Sequence, residues 1–219
     1  MNFGKLAGND SINSRIHEML GTLHPEDVPR FVRKFRSNSD EQHFHTYREL
    51  ILGAHVRTCG WNLRYEQSLG GKTPDWVLID DGGQVAEILD VVTLHQRRVV
   101  DSAIGKAIPS HRPWVGWVST PPDRLFAKLR EKANAYASLA DELHLPYVVA
   151  LFGEFTAPIE PFEVHHVLHE LYGGVFAAVP TVAGTLFFRE RLGQYEYHHF
   201  TNSQAAFSSQ IIRGLSRGN

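Results

Sequence analysis

Around Gly60 the hydrophobic period of this chain changes from that of a helix to that of a strand. Before it, residues 40–58 place Phe44, Tyr47, Leu50, Ile51 and Ala54 on one helical stripe. Leu52 and Val56 fall on the other side, so this helix is apolar over most of its girth and must be buried on more than one face. After it, residues 62–67, 75–79 and 85–92 alternate as strands, separated by the turn signals Gly70-Gly71 and Asp81-Gly82-Gly83. A buried helix feeding a three-stranded antiparallel meander is a restrictive beginning for a fold.

The remaining elements are arranged around that unit. A short helix is capped by Ser11 or Asn13 and ends at Gly21, and a second starts near Pro25 with Glu26 and Asp27 in its first turn. The second carries Arg30, Arg33, Lys34 and Arg36 before the polar stretch SNSDE. Residues 1–38 therefore read as an N-terminal helical appendage, and residues 39–219 as one α/β domain. Residues 94–108 read as partly helical and 114–118 as a short strand. Pro121-Pro122 launches a long helix to about Leu143, with Asp123 in its first turn. Residues 147–152 form a buried strand, and residues 161–171 a helix stopped by Gly173-Gly174. Residues 185–191 and 195–201 make a C-terminal hairpin turning at Leu192-Gly193-Gln194. The order predicts an α/β fold with a mixed sheet flanked by helices.

With 219 residues, 42% hydrophobic and 21% charged, the chain can bury a full core without disulfides or structural metal. A net charge of -2 excludes a globally basic nucleic-acid binder and leaves only local patches for phosphate contact. The single Cys59 excludes an intramolecular disulfide framework and a cysteine-based zinc cluster. With no apolar stretch of signal-peptide type at the N-terminus, the reading is a cytoplasmic protein.

Chemistry concentrates in GKTPDWVLIDDGGQVAEILD, residues 71–90. Pro74-Asp75 opens one strand, and Glu87 lies in the next strand across a short turn. Two carboxylates converging from neighbouring strands make a hard-oxygen site suited to Mg²⁺ or Mn²⁺. Glu87 has apolar neighbours on both sides, and an acid in so apolar a strand needs a reason. A pair pointing to opposite faces of the sheet would remove this site and, with it, the root of any nuclease-like reading. On the preceding helix Glu49 shares a face with Gly53, where a missing side chain would let helix and sheet approach closely.

These residues resemble the PD-(D/E)xK nuclease superfamily, the restriction-endonuclease-like fold, over roughly residues 40–152. The resemblance implies metal binding by Asp75 and Glu87, with Glu49 as the helix glutamate. Lys132-Ala-Asn-Ala-Tyr136 is similar to the Q-x-x-x-Y helix element of the RecB-like exonuclease branch, with lysine in place of glutamine. What the family implies is Mg²⁺- or Mn²⁺-dependent phosphodiester hydrolysis in nucleic acid, with DNA the expected substrate. The sequence departs from the pattern at Leu89, where the motif lysine belongs. Either the site is inactive, or the ammonium comes from elsewhere.

Lys132 borders the buried stripe Leu125, Leu129, Ala133, Tyr136 and Ala140, and is the favoured substitute; Lys128 points further outward, and Lys72 is a second candidate. Lys132 is then expected beside Tyr136 and Leu129, within one water of Glu87. The rival reading is a catalytically inactive module of the same fold that binds nucleic acid or a protein partner. The C-terminal hairpin could supply a homodimer interface. His165 and His169 share a helical face, but a tetrahedral zinc site needs three or four ligands, and the thirteen histidines read as solvated or half-buried side chains.

Overall fold

The computed structural model describes residues 10–36, 40–92, 94, 121–153, 159–191 and 194–217. The expected partial helix beyond Leu94 and the strand at 114–118 lie outside them, as do two residues of the expected C-terminal turn. Among the described residues the order is α1 (Asp10–Thr22), α2 (Val28–Phe35), α3 (Asp40–Thr58), β1 (Leu63–Tyr65), β2 (Trp76–Ile79), β3 (Val85–Val92), α4 (Pro122–Glu142), β4 (Tyr147–Gly153), α5 (Pro161–His169), α6 (Val175–Ala178), β5 (Val182–Arg191), β6 (Gln194–Thr201) and α7 (Gln210–Arg217). The six strands form one sheet in sequential order. β1–β2–β3 is the antiparallel meander, β3–β4–β5 are parallel, and β6 returns antiparallel as the hairpin. The mixed α/β architecture expected from the sequence is therefore present.

Strand alternation divides the core in two. Trp76, Leu78, Leu89, Val91, Val148, Ala150 and Phe152 face α1, α2, α3 and α7. Ile88, Val92, Tyr147, Val149 and Leu151 face α4, α5 and α6. The central strand β4 is buried along its whole length, as a parallel strand covered on both faces should be. α3 is buried on several sides because the sheet lies under it and α1 and α2 lie against it, with Ile16, Phe31 and Phe35 fully buried in the same cluster. Phe44 departs from its expected stripe: it is exposed, with the Arg48 guanidinium over its ring.

Both glycine turns fold as read. Gly70 and Gly71 have φ of 56° and 77°, the left-handed pair that a two-residue hairpin loop demands, and Leu69 and Lys72 exchange backbone hydrogen bonds across it. In the second turn the Asp80 carboxylate accepts from Gln84 N at 2.8 Å, and Gly83 takes φ 78°. Beyond this turn a β-bulge between Leu78 and Ile79 shifts the pairing of β2 with β3 by one residue. That shift decides which acids meet.

Candidate metal centre

Asp75 immediately precedes β2. Beyond the bulge Trp76 pairs with Leu89, so Asp75 lies opposite Asp90. The two are joined directly: Asp75 N donates to Asp90 Oδ1 at 3.3 Å, and Val91 N donates to Asp75 Oδ2 at 2.7 Å. An unbroken register continued from the Ile79–Val85 pair would instead have put Leu89 opposite Asp75 and Glu87 on the face of Asp75. One extra residue in a strand reverses that assignment.

Glu87 consequently points away from Asp75, into the layer containing α7. It is fully buried there, and its carboxylate accepts from Ser209 Oγ, Gln210 N at 3.0 Å and Ile211 N at 3.4 Å. The expected Asp75–Glu87 pair is thus corrected, and the two-carboxylate basis on which the sequence pointed to a nuclease goes with it: Glu87 lies on the opposite face, and Asp90 stands beside Asp75 instead. Glu87 caps the N-terminus of the last helix, a natural place for a carboxylate. Burial pushes its pKa up to about 7, against the lowering effect of Ser209, the two backbone N–H groups and Arg213.

Glu49 does approach Asp75. Its helix comes close to the sheet at Gly53, where an added Cβ would stand 2.1 Å from the Trp76 ring. Trp76 Nε1 also donates to Glu49 O at 2.9 Å, which fixes that turn of α3 against β2. One ligand atom each from His45, Glu49 and Asp75 lies within 4.8 Å of the others. His45 Nε2 is 2.9 Å from Glu49 Oε1, and the His45-x-x-x-Glu49 spacing that places both on one helix face is the signal that could have identified it. Glu49 is fully buried, whereas Asp75 and His45 are only partly so, which gives the cluster its open side.

Lys132 reaches the acids but not at Glu87. Its Nζ lies 2.8 Å from Asp90 Oδ2 and 3.8 Å from Asp75 Oδ2. α4 is placed for this by its buried stripe and by two tyrosines: Tyr147 Oη donates to Lys132 O and Tyr136 Oη to Thr73 O, both at 2.9 Å. Lys128 turns outward to Glu131, and Lys72 donates to Ala135 O, so neither competes for the acids.

Burial raises the cost of charge on Asp75, but its hydrogen bond with Asp90, the Lys132 ammonium and the Val91 N–H outweigh it and hold its pKa below the usual carboxylate value. Asp90 goes the other way, pushed well up by burial and by the neighbouring Asp75 charge. Two buried carboxylates in contact titrate as one unit. Lys132 stays protonated: burial disfavours its charge, and Asp75 and Asp90 more than restore it.

On the far side of Glu49 stands Lys34 of α2, with Nζ 3.1 Å from Glu49 Oε2, 2.8 Å from Glu66 Oε1 and 2.5 Å from Tyr65 Oη. Tyr65 Oη donates to the same Glu49 Oε2. The acids Glu49, Glu66, Asp75 and Asp90 therefore outnumber the ammoniums of Lys34 and Lys132. A carboxylate-rich donor set with one imidazole and an excess of negative charge fits a divalent ion of the Mg²⁺ to Mn²⁺ range.

No family model and no curated protein matches the chain. Among solved structures, that of Pyrococcus furiosus SfsA in complex with Ca²⁺ is similar over 74% of this chain and 62% of that chain, at 12% identity and a TM-score of 0.30. The chain spans less than two thirds of that protein, and a likeness of this extent carries no argument about fold or function. Among the described residues no helix is long and apolar enough to cross a membrane.

Proposed function

We propose that this chain is a divalent-metal-dependent nuclease that hydrolyses phosphodiester bonds in DNA, on a divergent core of PD-(D/E)xK type. The observation that carries the reading is the convergence of His45, Glu49 and Asp75 beside the Asp90–Lys132 ion pair. These residues come from two helices on opposite sides of the sheet, from strand β3 and from the position just before β2. His45, Glu49 and Asp75 would hold the ion, and Asp90 would adjoin it. Bound there, the ion would polarise a phosphoryl oxygen and make a water more acidic. Lys132 supplies the ammonium that Leu89 does not: its donors can orient the attacking water and meet charge developing on the phosphoryl oxygens. The imidazole in the donor set favours Mn²⁺ over Mg²⁺. β6 is an edge strand, and a homodimer through the β5–β6 hairpin belongs to the same proposal, to be tested by sedimentation velocity.

The test is cleavage of single- and double-stranded DNA, with RNA alongside, in Mn²⁺, Mg²⁺ or EDTA. Lys132→Ala should lower Mn²⁺-dependent cleavage at least about a hundredfold, the usual worth of a positioned proton-transfer group. Lys128→Ala should change little. Asp75→Ala should resemble Lys132→Ala, and the double variant should be little worse than either, because both losses fall on one step. If the wild type cuts no nucleic acid, the second reading takes over. It is favoured by the ion pairs that Lys34 and Lys132 already make with these acids, which would suit an inactive module that binds nucleic acid or a protein partner.

A further inference from the structure

Glu49 is held asymmetrically. Its Oε2 accepts from the Tyr65 hydroxyl and, at 3.1 Å, from the Lys34 ammonium; Oε1 faces His45 Nε2 at 2.9 Å and takes only the longer Lys34 contact, at 3.4 Å. Tyr65 is fully buried and stacks on Phe31 with ring centroids 4.0 Å apart, so the phenol has little freedom to leave. Lys34 is braced in turn by Glu66 and lies 4.9 Å from the centre of the Tyr65 ring. Arg30, one turn earlier on α2, donates to the carbonyls of Tyr65 and Glu66 and so ties that helix to the segment carrying both groups. Tyr65 thus occupies Oε2 alone, Lys34 leans toward that same oxygen, and Oε1 is left mainly to the side of His45.

We propose that Tyr65, with Lys34 in support, is a positioning residue that holds Glu49 to one-oxygen coordination and thereby selects a small six-coordinate ion over Ca²⁺. This rests on the metal site proposed above. Mg²⁺ and Mn²⁺ sites are suited by six oxygen or nitrogen donors, whereas Ca²⁺ takes six to eight at longer distance and readily accepts a bidentate carboxylate. A Glu49 whose Oε2 is occupied cannot turn to offer both oxygens. Partners of this kind orient a ligand and tune the metal it binds, and their loss typically costs ten- to a hundredfold in affinity.

The test is calorimetric titration of the whole chain with Mn²⁺ and with Ca²⁺, comparing wild type, Tyr65→Phe and Lys34→Met. Tyr65→Phe keeps the stack on Phe31 and changes no charge; Lys34→Met alters a partly exposed side chain and keeps the test open should Tyr65→Phe fold poorly. The wild type should prefer Mn²⁺; Tyr65→Phe should move the ratio of the two dissociation constants toward Ca²⁺ by about tenfold or more, and Lys34→Met should move it the same way by a smaller factor. Removing the Lys34 charge alone would strengthen both ions together and leave the ratio unchanged, as would a purely structural role for either residue. An unchanged ratio in variants that still bind Mn²⁺ overturns the clamp and leaves the metal site standing. A wild type that binds neither ion overturns both.

Discussion

Glu87 and Asp90 are three residues apart on one strand, and only one of them belongs to the candidate site. The pairing of a Pro-Asp with an acid on the next strand was legible, because Pro74-Asp75, the turn and the apolar strand are all visible in sequence. Which acid was not legible, because a one-residue bulge between Leu78 and Ile79 has no sequence mark here and inverts the faces beyond it. Glu87, an acid in an apolar strand, does have a purpose, which is to cap α7. Its pKa, raised to about 7 from 4.5 by burial, makes a measurable prediction. The folded state holds this proton more tightly than the unfolded state does. The resulting stabilisation is complete below about pH 4.5 and is lost as pH rises through about 7. At 1.4 kcal/mol per pH unit the whole effect is on the order of 3 kcal/mol. Urea denaturation of wild type and Glu87→Gln between pH 4.5 and 8.5 should show the variant gaining relative stability with pH, levelling off above about 8. A constant difference across that range would mean that Glu87 does not titrate on folding.

At the scale of elements, the meander, α3, α4, β4 and the hairpin were all readable from period, turn glycines and prolines. The last helix, α7, was not: Gln210–Arg217 is short, and its folding depends on a carboxylate supplied from β3, far away in sequence. α2 was readable as a helix but not as part of the site. Its attachment is tertiary: buried Asp27 accepts from Tyr65 N at 3.2 Å and lies 3.4 Å from Arg64, while Arg30 takes the Tyr65 carbonyl. Side chains of α2 and of the residue that precedes it thus satisfy the outward backbone groups of the edge strand β1. Asp27→Ala should leave the buried Tyr65 N–H unpaired and cost about 1–3 kcal/mol of stability. Hydrogen exchange should show the loss first in α2 and β1, with α5 unchanged. Equal loss of protection in α2 and α5 would mean that the contact does not govern local docking.

For the whole molecule, the consequence of this geometry is mechanical. The site takes Glu49 and His45 from the helix layer on one face of the sheet, Lys132 from the layer on the other, and Asp75 and Asp90 from the strands between. These layers are joined there by ammonium–carboxylate pairs, while burial and the neighbouring Asp75 charge push the Asp90 pKa well up. An ion bound by His45, Glu49 and Asp75 would tie α3 to the start of β2, and only in the folded state, since Asp75 is far in sequence from His45 and Glu49. Binding must therefore stabilise the fold by mass action, by about 2.7 kcal/mol at a hundredfold excess over the dissociation constant. For a chain of this size that corresponds to a rise of roughly 5–10 °C in melting temperature. Mn²⁺ should produce such a rise in the wild type and EDTA should reverse it. In Asp75→Ala the rise should vanish although the protein still melts cooperatively, and in Lys132→Ala it should persist, because Lys132 faces Asp90 and holds no ion. If Lys132→Ala also abolishes the rise, the lysine is needed to assemble the site and cannot be assigned to chemistry alone. If Mn²⁺ leaves the wild-type transition where it was even at millimolar concentration, the acids are a self-neutralised structural cluster, and the metal-dependent reading is wrong.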